Sequence, residues 1–231
     1  MERFKRTEKL FGKENMDILR SAHVLVVGVG GVGGYCAEMI ARSGVGKITL
    51  VDFDTVSESN INRQIIALSS TVGRPKVEVM KERIFEINPN CEIVSINKKF
   101  DENLYKDLFK TKFDFVVDAI DDLENKLLLV KKAKEKGLEI VSAMGAGNRV
   151  GIPCFEICDV YKTHSDGLAK KFRKMLKDEG IFFLNVAFSE EKPVLNKTEN
   201  EKIVIGSTAY SPAMCGCVIS AFVVNKLLNL F

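Results

Sequence analysis

The chain has 231 residues, 46% of them hydrophobic, and a formal net charge of +3. That length allows one large domain, the apolar content is ample for a packed core, and the mild charge neither demands nor excludes a polyanionic partner. The most apolar late stretch, Met214 to Val224, is too short to cross a bilayer, and six scattered cysteines read as reduced cytosolic thiols rather than a disulfide framework.

Residues Met1 to Ser21 are polar, with Arg3, Lys5, Arg6 and Lys9 ahead of Leu10 and Phe11. They predict one or two short helices on the body and no signal peptide before the first strand. Val24 to Val27 is an unbroken apolar run, as in a strand buried on both faces of a parallel sheet. Gly28, Gly30, Gly31 and Gly33 follow at once. Residues without a Cβ let the backbone turn sharply and approach a ligand. The helix expected over Val32 to Arg42 would point its N-terminus at a phosphate. A second strand, Ile48 to Val51, ends in Asp52, placed where an acid meets a ribose hydroxyl in the dinucleotide fingerprint. Strand, glycines, helix, strand and acid together make a nucleotide-binding βαβ unit.

The segment after Asp54 is peculiar. Asn60, Asn62, Arg63 and Gln64 crowd four hydrogen-bonding side chains into five positions. Arg63 can grip phosphate with its planar fork. Pro75 suits a helix start, and Lys76 falls near the N-terminus of a helix running to about Ile87. A lysine there opposes the helix dipole, which an anion bound at that point would explain.

Cys91 to Ile96 predicts a third strand, Asp101 to Phe109 a helix, and Phe113 to Val117 a fourth strand ending in Asp118-Ala-Ile-Asp121-Asp122. Acids at that strand end lie at the crevice of a doubly wound sheet. One can hold Mg²⁺ beside phosphates, and Asp121 or Asp122 can cap the helix from Leu123 to Lys136. Leu138 to Ala143 predicts a fifth strand, and Met144-Gly-Ala-Gly-Asn148 repeats the strand-to-glycine pattern.

Beyond Gly151 the rhythm changes. Pro153 to Tyr161 alternates like an antiparallel strand with one exposed face. Asp166 to Glu179 predicts a helix with Lys170, Lys171, Arg173, Lys174 and Lys177 opposite its apolar side. Such a face can meet nucleic-acid phosphates or simply be solvated. A charged loop is expected over Glu190 to Glu201, a return to the sheet at Ile203 to Ser207, and a C-terminal helix from Pro212 to Leu228. The cysteines lack the paired Cys-x-x-Cys knuckles of structural zinc sites. The expected fold class is α/β, a Rossmann-like doubly wound, mostly parallel sheet with additional antiparallel strands and a C-terminal helix. Residues 22–150 would form the nucleotide-binding core, 151–205 a substrate-side lobe with a mobile loop, and 206–231 a helix returning to the core.

Taken together, Gly28-Val-Gly-Gly-Val-Gly33, Asp52-Phe-Asp54, Ser59-Asn-Ile-Asn-Arg-Gln64, Gly73-Arg-Pro-Lys76 and Asp118-Ala-Ile-Asp121 resemble the adenylating superfamily of ThiF, MoeB and the ubiquitin-activating enzymes. The resemblance covers essentially the whole chain. Arg3-Phe, Ser43-Gly-Val-Gly46, Glu78-Val-Met-Lys-Glu-Arg83, Ile87-Asn-Pro89 and Asp159-Val-Tyr-Lys-Thr163 are most similar to the tRNA threonylcarbamoyladenosine dehydratases. The resemblance implies ATP-dependent adenylation of the threonine carboxylate in that tRNA nucleoside, followed by cyclisation with release of AMP. It implies that Gly28, Gly30, Gly31 and Gly33 cradle the nucleotide and Asp52 binds ribose. Asp54, Ser59, Asn62 and Gln64 would belong to the same site. It also implies phosphate contacts from Asn60 and Arg63, stabilisation of the α-phosphate and leaving pyrophosphate by Lys76, and Mg²⁺ at Asp121. Arg6, or else Arg3, would cross a homodimer interface to the partner's triphosphate. Lys170, Lys171, Arg173, Lys174 and Lys177 would face the tRNA, and no thioester cysteine is implied. A cytoplasmic protein is expected, with no membrane contact and with a sulfur-relay protein as a further partner left open. Two alternatives stand beside this one: an activator of a ubiquitin-like sulfur carrier, and a non-catalytic nucleotide-binding scaffold.

Overall fold

A computed structural model describes residues 2–194 and 205–230. Two short helices open the chain, α1 (Lys5–Phe11) and α2 (Lys13–Ser21). Then follow β1 (His23–Val27), α3 (Gly33–Arg42), β2 (Lys47–Val51), α4 (Lys76–Ile87) and β3 (Glu92–Ile96). The second half holds α5 (Glu102–Leu108), β4 (Phe115–Asp118), α6 (Leu123–Glu135) and β5 (Ile140–Ala143). It ends with β6 (Glu156–Asp159), α7 (Gly167–Asp178), β7 (Asn185–Phe188) and α8 (Tyr210–Leu227).

The seven strands form one sheet in the order β3-β2-β1-β4-β5-β7-β6. All neighbours are parallel except β6 and β7. The doubly wound expectation holds, and so does the antiparallel strand after Gly151. The chain reverses direction across the sheet between β1 and β4, and the switch point opens a crevice at their carboxyl ends. Register makes that crevice sharp: Val27 lies level with both Val51 and Asp118. Gly28, Asp52 and Ala119 therefore leave the sheet abreast.

Both faces are covered, as a parallel sheet requires. On one side α2, α3, α4 and α8 bury Leu19, Ile40, Met80, Ile219 and Val223. On the other, α5, α6 and α7 bury Leu108, Leu129, Phe172 and Leu176. The 18-residue helix α8 is long and apolar enough to cross a membrane by length and composition, but it packs on α3. Gly216 permits that packing, since a Cβ there would meet the Val32 carbonyl at 2.4 Å.

One strand is additional and one expectation needs correction. Strand β7 is not legible in the sequence, because four residues in an irregular stretch give too short a pattern to separate from a loop. Its place is set by β5 on one side and β6 on the other. The expected return strand at Ile203 to Ser207 falls partly outside the described residues, and Ile205 to Ser207 carry no strand.

His23 behaves as a structural residue. Its ring lies 2.8 Å from Thr49 Oγ1 and 3.1 Å from the Lys112 carbonyl, tilted against the Phe113 ring. Burial, helped by the Lys47 charge, pulls its pKa below the usual histidine value. A group whose folded pKa is depressed stabilises fully above its unfolded pKa, about 6.5, and loses that contribution as pH falls. The melting temperature should therefore drop between about pH 7 and pH 5, and a His23→Gln variant should show a flatter slope there. Equal slopes in thermal melts of the two proteins would contradict this.

Candidate active site

A cleft of about 900 Å³ lies at the carboxyl ends of the central strands. Gly28, Gly30 and Gly31 line its floor. Gly28 adopts φ +93°, and a Cβ there would sit 2.5 Å from the Ala119 carbonyl oxygen. Gly33 does not line the cleft. It is a packing glycine, since its Cβ would overlap the Gly28 carbonyl oxygen at 1.8 Å. Gly33→Ala must push the two segments apart, at a cost of about 1–3 kcal/mol. The expected result is a lower melting temperature together with weakened ATP binding by titration calorimetry. Normal binding would show that the loop shape is not set here.

Asp52 lines the cleft but is already occupied on both oxygens. Oδ2 accepts the Val29 N–H at 2.6 Å, and Oδ1 accepts the Asp54 N–H at 2.9 Å. It fastens the glycine turn to the end of β2, and each carboxylate oxygen keeps a lone pair for a hydroxyl. Lys76, at the N-terminus of α4, is buried, and its ammonium lies 2.7 Å from Asp54 Oδ2. Asp54 offsets the charge that opposes the helix dipole.

The Asn-rich loop divides its labour. Ser59, Asn62, Arg63 and Gln64 line the cleft. The Arg63 guanidinium is aimed by the Ser59 carbonyl at 2.9 Å and by Asn62 Oδ1 at 2.8 Å. Asn60 departs from its expected phosphate contact. It is buried outside the cleft lining, and its Oδ1 accepts the Ser57 N–H at 3.1 Å, locking the turn that presents Arg63.

The turn from β4 to α6 is built from three acids with separate tasks. Asp118 is fully buried, and its Oδ1 accepts the Ile120 N–H at 3.1 Å. Burial pushes its carboxyl pKa up, against the pull of Lys126, whose buried ammonium lies 2.9 Å away. Lys126 also donates to the Ile120 carbonyl at 2.9 Å. Asp122 caps α6 by accepting the Asn125 N–H at 2.9 Å. Asp121 lines the cleft and makes no hydrogen bond or ion pair among the described residues.

The remaining candidate cations lie outside the cleft lining. Arg6 is exposed on α1 and does not line the cleft, whereas Arg3 donates to the Glu86 and Ile87 carbonyls at the end of α4. Lys170, Lys171, Lys174 and Lys177 are exposed on α7. Arg173 is not part of that free face, because its guanidinium is bound to the Thr163 carbonyl at 2.9 Å and to the Thr163 hydroxyl. Burial pushes the Cys91 and Cys215 thiols up to about 12, so both stay protonated at neutral pH.

Sequence reasoning missed Phe53, Lys98, Lys99 and Leu168, all of which line the cleft. The two lysines follow the third expected strand at its carboxyl end, so the crevice rule could have found them. It also missed Arg149 and Asp166, a buried pair 3.5 Å apart that holds the Gly145 backbone from both sides. Neither stands in a recognisable motif.

The sequence profile of the ThiF family matches residues 4–230. The chain belongs to the ThiF family. A curated relative, tRNA threonylcarbamoyladenosine dehydratase of Bacillus subtilis, is 40% identical over 99% of this chain and 96% of its own. The solved structure of Escherichia coli tRNA N6-threonylcarbamoyladenosine dehydratase, TcdA, in complex with ATP is similar at a TM-score of 0.91 and 33% identity. The same relative in complex with AMP gives a TM-score of 0.92 and 33% identity, and each covers 99% of this chain and 94% of the relative. Within the ThiF family, the likeness to these dehydratases runs from end to end.

Proposed function

We propose that this ThiF-family enzyme is a tRNA threonylcarbamoyladenosine dehydratase driven by ATP. One observation carries the reading. A chain matching a dehydratase over nearly its whole length has a glycine floor, four cationic side chains including Arg63 and Lys76, and the unpaired carboxylate of Asp121 along one cleft. A scaffold subunit has no need of that set.

The chemistry is a problem of positioning and of neutralising charge. The threonine carboxylate attacks the α-phosphate of ATP. A carboxylate oxygen–phosphorus bond forms, the bond to the β-phosphate bridge breaks, and pyrophosphate leaves. Arg63 and Lys76 offset the negative charge on the phosphate oxygens. The Lys76 ammonium shifts its partnership from Asp54 towards the triphosphate. The acyl-adenylate is then attacked from within the modified base, a ring closes, and AMP departs with the oxygen of the lost water. Asp121 fits Mg²⁺, a hard cation that takes oxygen ligands, because its carboxylate is engaged by nothing else described. Mg²⁺ held there would supply charge neutralisation on the phosphates.

The exposed lysines of α7 suit the tRNA backbone, and Leu168 brings the start of that helix to the cleft. A homodimer would give Arg6, which is exposed and outside the cleft lining of its own chain, a partner's triphosphate to meet. A cytoplasmic location follows from a tRNA substrate.

The test is direct. Incubation with ATP, Mg²⁺ and tRNA bearing the threonylcarbamoyl group, then digestion to nucleosides, should show the modified nucleoside lighter by one water in the mass spectrum. Pyrophosphate release with a Gly-Gly-ended carrier protein and none with the tRNA would instead favour the sulfur-carrier activator.

A further inference from the structure

The second glycine segment, Met144 to Asn148, is not consumed by the phosphate chemistry, yet Met144 to Gly147 line the same cleft. It faces a short wall, Ile205 to Ser207, which lines the cleft too. Gly147 allows the close approach, since a Cβ there would meet the Ile205 side chain at 2.7 Å and the Gly206 carbonyl at 3.1 Å.

Asn148 joins the two. Its φ is +57°, a left-handed conformation that asparagine tolerates better than most residues. Its N–H donates to the Gly206 carbonyl at 2.8 Å, and its Oδ1 accepts the Gly206 N–H at 2.6 Å. Its own carbonyl accepts the Val194 N–H at 2.7 Å. The wall is braced from the opposite side, where the Ser207 carbonyl accepts Asn62 Nδ2 at 3.0 Å. Between these braces the Ala146 and Gly147 N–H groups carry no hydrogen bond among the described residues. Free donors on a cleft wall suit an anionic oxygen.

We infer that Asn148 is a positioning residue that clamps Gly206 and so shapes the wall receiving the carboxylate end of the acyl substrate. It governs use of the modified tRNA and not affinity for ATP. The inference rests on the dehydratase reading. The phosphate side of the cleft is built by the glycine floor, the Asn60 turn and α4; Asn62 links it to the wall at Ser207, and the Asn148 clamp on Gly206 touches none of those parts directly.

The test is steady-state kinetics with modified tRNA and ATP varied separately, for the unaltered protein and two variants. Asn148→Gly keeps the left-handed backbone and deletes the side-chain acceptor. Asn148→Asp keeps both but sets a negative charge beside the place of the substrate carboxylate. The glycine variant should raise KM for modified tRNA about tenfold, the upper end of what one hydrogen bond contributes. Its KM for ATP should stay within about twofold, the pattern of a lost contact to one substrate alone. The aspartate variant should raise KM for modified tRNA by repulsion, more at low salt than at high, and leave KM for ATP within about twofold. Melting temperatures identify a variant that merely misfolds, and the other variant then carries the comparison. An unchanged KM for tRNA in a folded variant, or an equal rise in both KM values, would overturn the inference. Absence of dehydration by the unaltered protein would remove the dehydratase reading, and this inference with it.

Discussion

Replacing Asp121 by alanine should lower ATP–pyrophosphate exchange by about a thousandfold, at the upper end of what one electrostatic group supplies to a transition state. The thermal melt should not move. The turn carrying Asp121 is held by its neighbours: Asp118 accepts the Ile120 N–H, Lys126 donates to the Ile120 carbonyl, and Asp122 caps α6. Asp121 contributes nothing to that frame, and substitutions away from such features stay within about 0.5 kcal/mol. Activity and stability are thus separable at this position, which makes the measurement clean. An exchange rate equal to that of the unaltered protein, across a Mg²⁺ titration, would strip Asp121 of its assigned role. A melt lowered by several degrees would show instead that the carboxylate braces the fold.

Lys126→Met should have the opposite signature, with a large loss of stability. Lys126 and Asp118 are each 0% exposed at the side chain and 2.9 Å apart. Removing one partner of a buried pair leaves the other charge stranded, which costs about 3–5 kcal/mol. For a chain of this size that corresponds to roughly 10 °C in melting temperature. The sign of the pH dependence is informative. Burial already raises the Asp118 pKa, and loss of Lys126 raises it further. A carboxyl whose folded pKa is raised adds stability below its unfolded pKa and loses it as pH rises through the folded value. The gap between variant and unaltered protein should therefore narrow on mild acidification. A double variant, Lys126→Met with Asp118→Leu, should recover much of the deficit, because two well-packed apolar groups replace a buried pair at little cost. Failure of the double variant to exceed the single one would mean that packing around Phe172, which the ammonium overlies at 5.8 Å, matters more than charge.

Much of this site is legible along the chain because the same residues satisfy local and tertiary demands. A strand buried on both faces needs a continuous apolar run, and Val24 to Val27 show one. A sharp turn that presses against Ala119 needs glycine at 28, whatever ligand is bound. Asp101, Asp122 and Asp166 cap the helices that follow them, and of these the sequence points to Asp122, alongside Asp121. The hidden parts are those in which a side chain's partner comes from far along the chain. Arg3 and Arg173 look like free cations until Glu86 and Thr163 are seen beside them. Asn60 and Arg63 look alike in a polar loop, but one supports the turn and the other is presented by it. Strand β7 exists only because β5 and β6 lend it partners.

The sequence by itself determined the doubly wound sheet, the glycine turn at its crest and the set of residue types needed to handle a triphosphate. Those rest on backbone conformation and hydrophobic periodicity, which short stretches encode. The tertiary structure alone decided which polar groups remain available in the cleft and which are spent holding it open. A side chain's freedom depends on neighbours that folding brings from 20 to more than 140 positions away, as Lys76 with Asp54 and Asn62 with Ser207 demonstrate.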